Sequence, residues 1–240
     1  MAIYRDEGLV LKTTKLGEAD RIITILTREH GKIRAVAKGV RRTKSRFGSR
    51  LEPFMRVDLL IAQGRNLDIV SQASSLATYA DSISADYDLY ANGGVILETA
   101  DKLIAGEDQP ASDQYGLLLA ALAALAGHRH DPRAISASYL IRALALAGWR
   151  PRLDSCLVCG RTDDLTYCSV SGGGAMCSAD RTTDAIRVDP VTLNQFQALS
   201  RGDWRSLGTG PLTPLCDQLV EKWGEYYLER PIHSLRLLDS

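Results

Sequence analysis

The first 75 residues contain short runs of β-favouring residues separated by turn-forming residues. The alternation is clearest in residues 32–38, where Ile33, Ala35 and Ala37 share one side of a strand and basic residues occupy the other. The other runs cover residues 9–11, 22–27, 54–62 and 67–73. Five short strands with one long connection, residues 39–53, predict a small five-stranded barrel of the OB-fold type, although an SH3-like barrel has nearly the same pattern.

The periodicity changes to that of helices near residue 80. Apolar residues recur at helical spacing from Ile83 to Ile104, and residues 112–126 form a second apolar helix that ends at Gly127. An Asp-Pro or Thr-Pro pair, typical of a helix start, occurs at residues 131–132, 189–190 and 213–214. The sequence therefore predicts an α+β protein. An OB-fold nucleic-acid-binding domain covers residues 1–80, and a helical domain with a zinc-finger-like insert at 153–187 covers residues 81–240.

The two parts of the chain differ in charge. Residues 1–65 hold 15 Lys and Arg against 7 Asp and Glu, whereas residues 66–240 hold 14 against 22. A net charge of zero thus combines a part of +8 with a part of −8, which indicates a module that binds a polyanion joined to an acidic body. The composition, 45% apolar and 24% charged, is that of a globular protein and excludes disorder or a coiled coil as the main character of the chain.

The segment from residue 32 to residue 50 holds eight basic side chains and no acidic one. Because base-stacking aromatics are scarce near it, we expect contacts to a nucleic-acid backbone with little sequence preference. Phe47 is either a stacking residue or an anchor that holds the loop on the barrel. The predicted nucleic-acid contacts, which include secondary contacts from the first strands, are Lys12, Lys15, Arg21, Lys32, Arg34, Lys38, Arg41, Arg42, Lys44, Arg46 and Arg50.

Four of the five cysteines fall in one stretch of 22 residues, a pattern typical of a metal site. Cys156-x-x-Cys159 and Cys177-x-x-Asp180 match the spacing of a four-ligand zinc site with a carboxylate in the fourth position. Cys168 is the alternative fourth ligand and water a third candidate, but the paired turns favour Asp180. We expect one structural Zn²⁺ ion, because four protein ligands close the site. A redox pair is the competing interpretation, although no βαβ pattern accompanies these cysteines.

Other motifs have simpler interpretations. His128-x-His130 is expected to link two helices with Asp131 as a helix cap, and Glu18 and Asp20 to lie in a turn. Cys216 is expected in the core of an apolar helix. The sequence contains no phosphate-binding loop, dinucleotide motif or nucleophile elbow, so nothing supports an ATPase or hydrolase. It also lacks a signal-peptide core and an apolar run of membrane length, so we expect a cytoplasmic protein in a reducing setting that contacts no membrane.

Several segments resemble the RecO family of bacterial DNA-repair recombination mediators. The similar order and spacing run through most of the chain, and the first half is the more specific part. The segments are residues 7–11 (EGLVL), 17–24 (GEADRIIT), 31–41 (GKIRAVAKGVR), 156–160 (CLVCG) and 173–177 (GGAMC). In many zinc-bearing members a cysteine stands where this chain has Asp180, and an aromatic residue is common at the position of Cys168.

The resemblance implies an N-terminal OB-fold and a helical domain with a zinc finger. It implies a non-enzymatic protein that binds single- and double-stranded DNA, anneals complementary strands and helps to load RecA recombinase onto DNA coated with single-strand binding protein. The implied partners are RecR, the acidic C-terminal tail of single-strand binding protein and, in some settings, RecF, at the nucleoid. We expect the tail to dock on the helical domain beside Arg142, Arg150 or Arg152.

Two other functions compete with this interpretation. An RNA-binding or translation-associated OB/zinc module would carry more base-stacking aromatics on its strands than this chain does. A zinc-dependent nucleic-acid deaminase would need a glutamate ahead of a Pro-Cys-x-x-Cys motif, and no glutamate lies between Glu107 and Glu221. The sequence therefore favours a DNA-binding protein that is not an enzyme.

Overall fold

The computed structural model describes residues 2–104 and 111–238. Five strands form a closed barrel in the order β1-β2-β3-β5-β4, in which β3 and β5 pair in parallel and the other neighbours pair antiparallel. The strands are β1 (Ile3–Leu16), β2 (Asp20–Thr27), β3 (Lys32–Ala37), β4 (Met55–Ala62) and β5 (Asp68–Thr78). This arrangement confirms the predicted five-stranded barrel of the OB type.

The barrel interior is apolar because alternate residues of its strands face inward. In β4 the burial alternates residue by residue, and Val57, Leu59 and Ile61 are buried. Ile33 and Ala35 of β3 belong to the same core cluster. Each fully buried aliphatic side chain of this size contributes about 1.5–3 kcal/mol, so these inward positions stabilise the barrel.

β1 is longer than its apolar pattern predicted. Its first half pairs with β4, from Ile3 opposite Ala62 onward, and its second half pairs with β2 as far as Leu16 opposite Asp20. Backbone hydrogen bonds to two neighbours therefore extend the strand through polar residues that show no β pattern. The three consecutive apolar residues 9–11 are all buried, because helix α2 (Tyr87–Leu103) packs on this strand from outside the barrel.

Three helices follow the barrel: α1 (Ala80–Ile83), the helix α2 already introduced, and α3 (Ser112–Ala126). The helical spacing that begins at Ile83 is interrupted at Asp86, whose backbone is extended with φ −131° and ψ 132°. The Asp86 carboxylate accepts the backbone N–H of Leu89 at 3.0 Å and so caps α2. α2 then packs on β1, β2 and α3.

The remaining helices confirm the predicted starts. They are α4 (Pro132–Leu146), α5 (Pro190–Arg201), α6 (Trp204–Leu207) and α7 (Pro214–Leu228), followed by a 3-10 turn at His233–Leu237. The side chains of Asp131, Asp189 and Thr213 accept N–H groups of the first helical turn, and proline follows each of them. The sequence pattern missed α6, since four residues are too few to show a period. None of the helices in the described part of the chain is long and apolar enough to span a membrane.

A small three-stranded sheet lies between α4 and α5, in the order β7-β6-β8. Its strands are β6 (Leu165–Ser169), β7 (Gly174–Cys177) and β8 (Ile186–Arg187). The helices α4, α5 and α7 pack on one another through large side chains: Phe196 of α5 and Trp223 of α7 meet edge to face with ring centroids 5.4 Å apart, and Tyr139 of α4 is also buried. Cys216 is completely buried in α7, which confirms its predicted place in the core.

The chain divides into two compact units, Met1–Gly127 and His128–Ser240. The first unit contains the barrel with α1, α2 and α3, and the second contains α4 to α7 with the small sheet. Because α2 packs against two barrel strands, it belongs structurally with the barrel. The domain boundary that the sequence places between residues 80 and 81 stays a prediction.

Two glycines within helices of the first unit give opposite predictions for alanine substitution. Alanine is favoured over glycine inside a helix by about 1 kcal/mol. At Gly116 an added Cβ meets no heavy atom of the described residues within 4 Å outside its own helix, so Gly116→Ala is expected to stabilise the unit by about 0.5–1 kcal/mol. At Gly93 the added Cβ would lie 2.8 Å from Phe54 Cε1 and 3.2 Å from Ile83 Cγ2.

This close approach is expected to outweigh the helix preference at Gly93, because packed core atoms yield little space, so Gly93→Ala should destabilise the unit by about 1–3 kcal/mol. Urea denaturation of both variants beside the wild type checks the pair. Stabilisation by Gly93→Ala equal to that of Gly116→Ala would contradict the tight packing of α2 on Phe54.

Candidate metal centre and nucleic-acid interface

Three thiols and one carboxylate converge beside the small sheet of the second unit. The ligand atoms of Cys156, Cys159, Cys177 and Asp180 all lie within 4.8 Å of one another. The sulfurs of Cys159 and Cys177 are 3.8 Å apart, and Asp180 Oδ2 lies 3.2 Å from Cys177 Sγ and 3.5 Å from Cys156 Sγ. Tetrahedral zinc with bonds of about 2.3 Å to sulfur and 2.0 Å to oxygen requires edges of about 3.5–3.8 Å. The group can therefore hold a metal ion, and its donor set suits zinc.

Two short backbone turns bring these ligands together. The N–H of Cys156 donates to the carbonyl of Arg161 at 2.8 Å, and the N–H of Gly160 donates back to the carbonyl of Cys156 at 3.1 Å. Gly160 has a φ of 75°, in the left-handed region that glycine adopts without strain. Cys177 ends β7, and the turn that follows returns the chain to place Asp180 beside it. The predicted pairing of two turns is thus present in the fold.

Hydrogen bonds within the group change the acidity of its ligands. Burial opposes ionisation of the Cys156 thiol, but backbone N–H groups of Cys177, Cys159 and Val158 point at its sulfur and lower its pKa to about 7. The thiols of Cys159 and Cys177 lower the pKa of Asp180. Asp180 in turn raises the pKa of Cys159 to about 11, because the carboxylate accepts the thiol proton in a hydrogen bond. A zinc ion takes the place of such protons, since it binds thiolates.

Cys168 lies outside this group. It is in β6, opposite Ala175 of β7 and Ile186 of β8, and it is completely buried. Burial raises the pKa of its thiol to about 12. The structure therefore brings Asp180, and not Cys168, next to the three other cysteines.

The insert has little apolar surface with which to stabilise itself. Its core cluster contains Cys156, Met176 and Cys177, with Leu157, Leu165, Tyr167 and Ala185 partly buried against it. Segments of this size rarely fold on apolar burial alone and usually contain a disulfide or a metal ion. The cysteines of the described residues are free thiols. A metal bound by the four ligands would thus contribute folding free energy, which is a structural role.

The outer face of β1, β2 and β3 carries basic side chains. Lys12 is opposite Thr24, and Thr24 is opposite Arg34, so the two cations flank one threonine at two strand spacings, about 10 Å. Lys15 is opposite Arg21 near the end of the same two strands. Lys12, Lys15 and Arg34 are exposed to solvent. Lys12 and Arg34 therefore share the outer face of these strands, whereas Lys15, three residues after Lys12, lies with Arg21 on the opposite face near the strand ends.

Apolar residues hold the connection between β3 and β4 on the barrel. Val40, Phe47 and Leu51 are buried in the barrel core, and Asp20 accepts the backbone N–H of Gly39 at 2.7 Å. Phe47 is 1% exposed, so it anchors the loop, and Arg46 lies over its ring at 4.9 Å from the centroid. The basic residues around these anchors point to solvent: Lys38, Arg41, Arg42, Lys44, Arg46 and Arg50.

Two of the predicted contacts are held in ion pairs. Arg21 Nη1 lies 2.6 Å from Glu52, and Lys32 Nζ donates to the backbone carbonyl of Asp101 at 2.5 Å and lies 3.3 Å from its carboxylate. The Lys32 side chain is only 14% exposed, so it joins β3 to the end of α2 and offers little charge to a ligand. The nine other predicted contacts are exposed.

His30 has a partner that its position in a turn did not reveal. Its Nδ1 lies 2.7 Å from Oδ2 of Asp6, whose side chain is 1% exposed and also accepts the N–H groups of Glu29 and His30. The His30 ring packs against Tyr4 with ring centroids 4.3 Å apart. Only the pairing of β1 with β2 brings these residues together, so no local sequence signal could have found them.

His130, in contrast, stacks on Trp204 with centroids 4.1 Å apart.

The fold and the two sites define a class of protein: an OB-fold unit with basic side chains on its surface, joined to a helical unit that carries three cysteines and an aspartate able to hold a metal ion. The chain matches two family models, Recombination protein O N terminal over residues 1–79 and Recombination protein O C terminal over residues 84–236. The chain belongs to the RecO family of DNA repair proteins. This finding confirms the resemblance seen in the sequence.

Full-length relatives agree with the family models. A DNA repair protein RecO from Bifidobacterium longum (strain NCC 2705) is 63% identical over 240 residues and covers 100% of both chains. The RecO proteins of Thermobifida fusca and Nocardioides sp. are 43% and 44% identical, with at least 99% of each chain covered. Membership of this family supports a role in DNA repair and recombination.

Removal of the fourth ligand is expected to weaken metal binding. Asp180→Ala leaves three thiols and an open position, so its zinc affinity should fall by more than the about 10–100-fold that loss of an outer-shell partner costs. Cys168→Ala should keep the zinc content of the wild type, because this side chain lies outside the ligand group. Elemental analysis after dialysis against a chelator measures the zinc bound per chain.

Asp184→Ala supplies a matched carboxylate control in the same insert. Asp184 accepts a hydrogen bond from Ser171 at 2.6 Å and lies outside the ligand group, so this variant should retain its zinc. Loss of zinc from Cys168→Ala together with retention by Asp180→Ala would refute the Asp180 ligand set.

Proposed function

We propose that this protein is a non-enzymatic DNA repair and recombination mediator. It binds single- and double-stranded DNA, anneals complementary strands and helps to load RecA recombinase onto DNA coated with single-strand binding protein, at the nucleoid. The observation that carries the proposal is the concentration of nine exposed cations on β1, β3 and the connection after β3, with no acidic residue between residues 32 and 50. A surface of this kind takes nucleic-acid phosphates.

Annealing requires two polyanions to approach each other. Cations that neutralise phosphates release condensed counterions and reduce the repulsion between the strands. Phe47, the aromatic residue of the basic connection, is buried. The exposed side chains of that segment are therefore suited to the sugar-phosphate backbone, which leaves the base edges free to pair with a second strand. Sequence recognition then comes from base pairing itself.

The chemistry of annealing also fits a protein without catalytic residues. No covalent bond is made or broken, so no nucleophile or general base is required. In the metal centre the three thiolates and the carboxylate of Asp180 would occupy every position of a tetrahedral zinc ion, which leaves none for a substrate or an activated water molecule. We therefore assign to zinc a structural role in the insert.

We propose that the second unit is the docking platform for protein partners, namely RecR, the C-terminal tail of single-strand binding protein and, in some settings, RecF. The Trp149 side chain is 41% exposed and its ring lies 5.9 Å from that of Tyr227, beside the exposed Arg150. Burial lowers the pKa of Arg142, because it disfavours the charged guanidinium. An anionic partner beside this guanidinium would stabilise its charge. The Arg152 guanidinium already donates to the hydroxyl of Ser155 at 2.9 Å and to the backbone carbonyl of Cys156 at 2.6 Å. These features support Arg142 and Arg150 over Arg152 for an acidic, apolar tail.

Salt is expected to weaken DNA binding strongly. If six to ten phosphates are contacted, the affinity for a labelled single strand should fall about 10³–10⁵-fold between about 50 and 200 mM salt. Lys44→Ala should reduce the slope of log affinity against log salt by about 1. Arg5→Ala is the matched control. It should leave the slope unchanged, because Asp58 at 2.6 Å already neutralises Arg5. Fluorescence anisotropy measures both slopes, and a slope near zero in the wild type would contradict phosphate binding.

Loss of the basic connection is expected to slow annealing. The variant Lys38→Ala/Arg42→Ala/Lys44→Ala removes three exposed charges and leaves in place the buried anchors and Arg41, which donates to the carbonyls of Gly17 and Glu18. Its rate of annealing complementary oligonucleotides should fall about tenfold or more, since three phosphate contacts are lost. Annealing is followed by fluorescence energy transfer, first with bare strands and then with strands coated by single-strand binding protein.

The control Arg129→Ala/Arg205→Ala/Arg230→Ala removes the same charge from exposed sites of the second unit and should anneal bare strands at the wild-type rate. Wild-type protein that binds strands without annealing them would refute the annealing step. Tighter binding of RNA than of DNA of equal length would favour the alternative of an RNA-binding OB/zinc module.

A further inference from the structure

The barrel contains a second surface suited to nucleic acid, apart from the basic connection. A cavity of about 430 Å³ lies where the start of β1, the start of β3 and the turn between β4 and β5 meet. Its lining includes Tyr4, His30, Arg34, Arg65 and Asn66. Cavities of this volume are in the range that holds small organic ligands. The lining combines two rings with two cations, which is the chemistry that recognises a nucleobase and its phosphate.

The two rings are held in place before any ligand arrives. The hydroxyl of Tyr4 donates to Asp68 at 2.6 Å, and His30 Nδ1 lies 2.7 Å from the buried carboxylate of Asp6. The rings pack against each other at a tilt of 36°. Because hydrogen bonds fix both side chains, little conformational entropy is lost when a flat ligand packs on them. The acid in the lining, Asp68, is already bonded to Tyr4 and to the N–H of Gly64.

Arg34 connects this cavity with the outer face of the strands. It lines the cavity and also stands opposite Thr24, which stands opposite Lys12. A phosphate backbone held along Lys12 and Arg34 would therefore reach the mouth of the cavity. Arg65, exposed in the turn between β4 and β5, supplies a second cation there.

We propose that this cavity takes one unpaired base of a DNA strand, which packs on the Tyr4–His30 pair while Arg34 and Arg65 bind its phosphates. This inference rests on the proposed DNA binding and adds to it a preference for single strands. A base within a duplex is stacked on both faces and cannot enter without unpairing, whereas a single strand presents its bases freely. The basic connection then binds any phosphate backbone, and the cavity distinguishes strands with accessible bases.

The test compares oligo-dT with an abasic oligonucleotide of the same length, about 16 nucleotides, by fluorescence anisotropy. Both carry the same phosphates, so only base contacts separate them. The wild type is expected to bind oligo-dT about five- to tenfold more tightly than the abasic strand. Tyr4→Leu should abolish this difference and leave the abasic affinity unchanged, and Tyr4→Phe, which keeps the ring, should preserve it.

Two further variants separate the inference from the function on which it rests. Lys44→Ala should weaken binding of both strands equally, because it removes only a backbone contact. Arg65→Ala, in an exposed turn at the cavity, should weaken binding to oligo-dT more than to the abasic strand, because a base seated in the cavity holds its own phosphate beside Arg65 and an abasic strand has no base to seat there. Equal wild-type affinity for the two strands, or an unchanged preference in Tyr4→Leu, would overturn the base site while DNA binding stands. Failure of the wild type to bind either strand would overturn the proposed function itself.

Discussion

Apolar anchoring of the connection between β3 and β4 is the constraint on which the basic surface of the first unit depends. Six exposed cations follow one another between residues 38 and 50 without an acid to separate them. A close pair of like charges in water costs about 1 kcal/mol, and salt reduces that cost. Burial of an apolar side chain contributes about 1.5–3 kcal/mol. Val40, Phe47 and Leu51, all in the barrel core, therefore outweigh the repulsion and keep the charges on the barrel.

The second unit meets a different constraint, because its insert has too few apolar residues to form a core. Two of the candidate ligands form part of the small core that it has: Cys156 and Cys177 are completely buried and pack with Met176. A zinc ion bound there would displace the thiol protons and compensate the negative charges of the thiolates and of Asp180. Metal binding by this group would add to the free energy of folding of the insert, so a substitution of a ligand would also lower the stability of the insert.

Local signals predicted much of this structure. Asp131, Asp189 and Thr213 each start a helix because a cap and a proline act within one turn, and the cysteine spacing predicted two facing turns for the same reason. What depends on distant residues could not be read in this way. The full length of β1 arises from pairing with β4, the burial of Phe47 from the shape of the barrel end, and the contact of His30 with Asp6 from the β1–β2 register.

Local and long-range signals also separate the two sites of the first unit, the basic connection after β3 and the cavity at Tyr4 and His30. The basic connection can be recognised from the sequence alone, because binding of backbone phosphates requires little more than positive charge at a surface. A site for an unpaired base requires two rings fixed at one angle with cations at their edge, which only the folded barrel supplies. Arg34 belongs to both arrangements, opposite Thr24 on the outer face and at the wall of the cavity. Arg34 can therefore contact a phosphate of any nucleic-acid backbone and also a nucleotide whose unpaired base lies in the cavity.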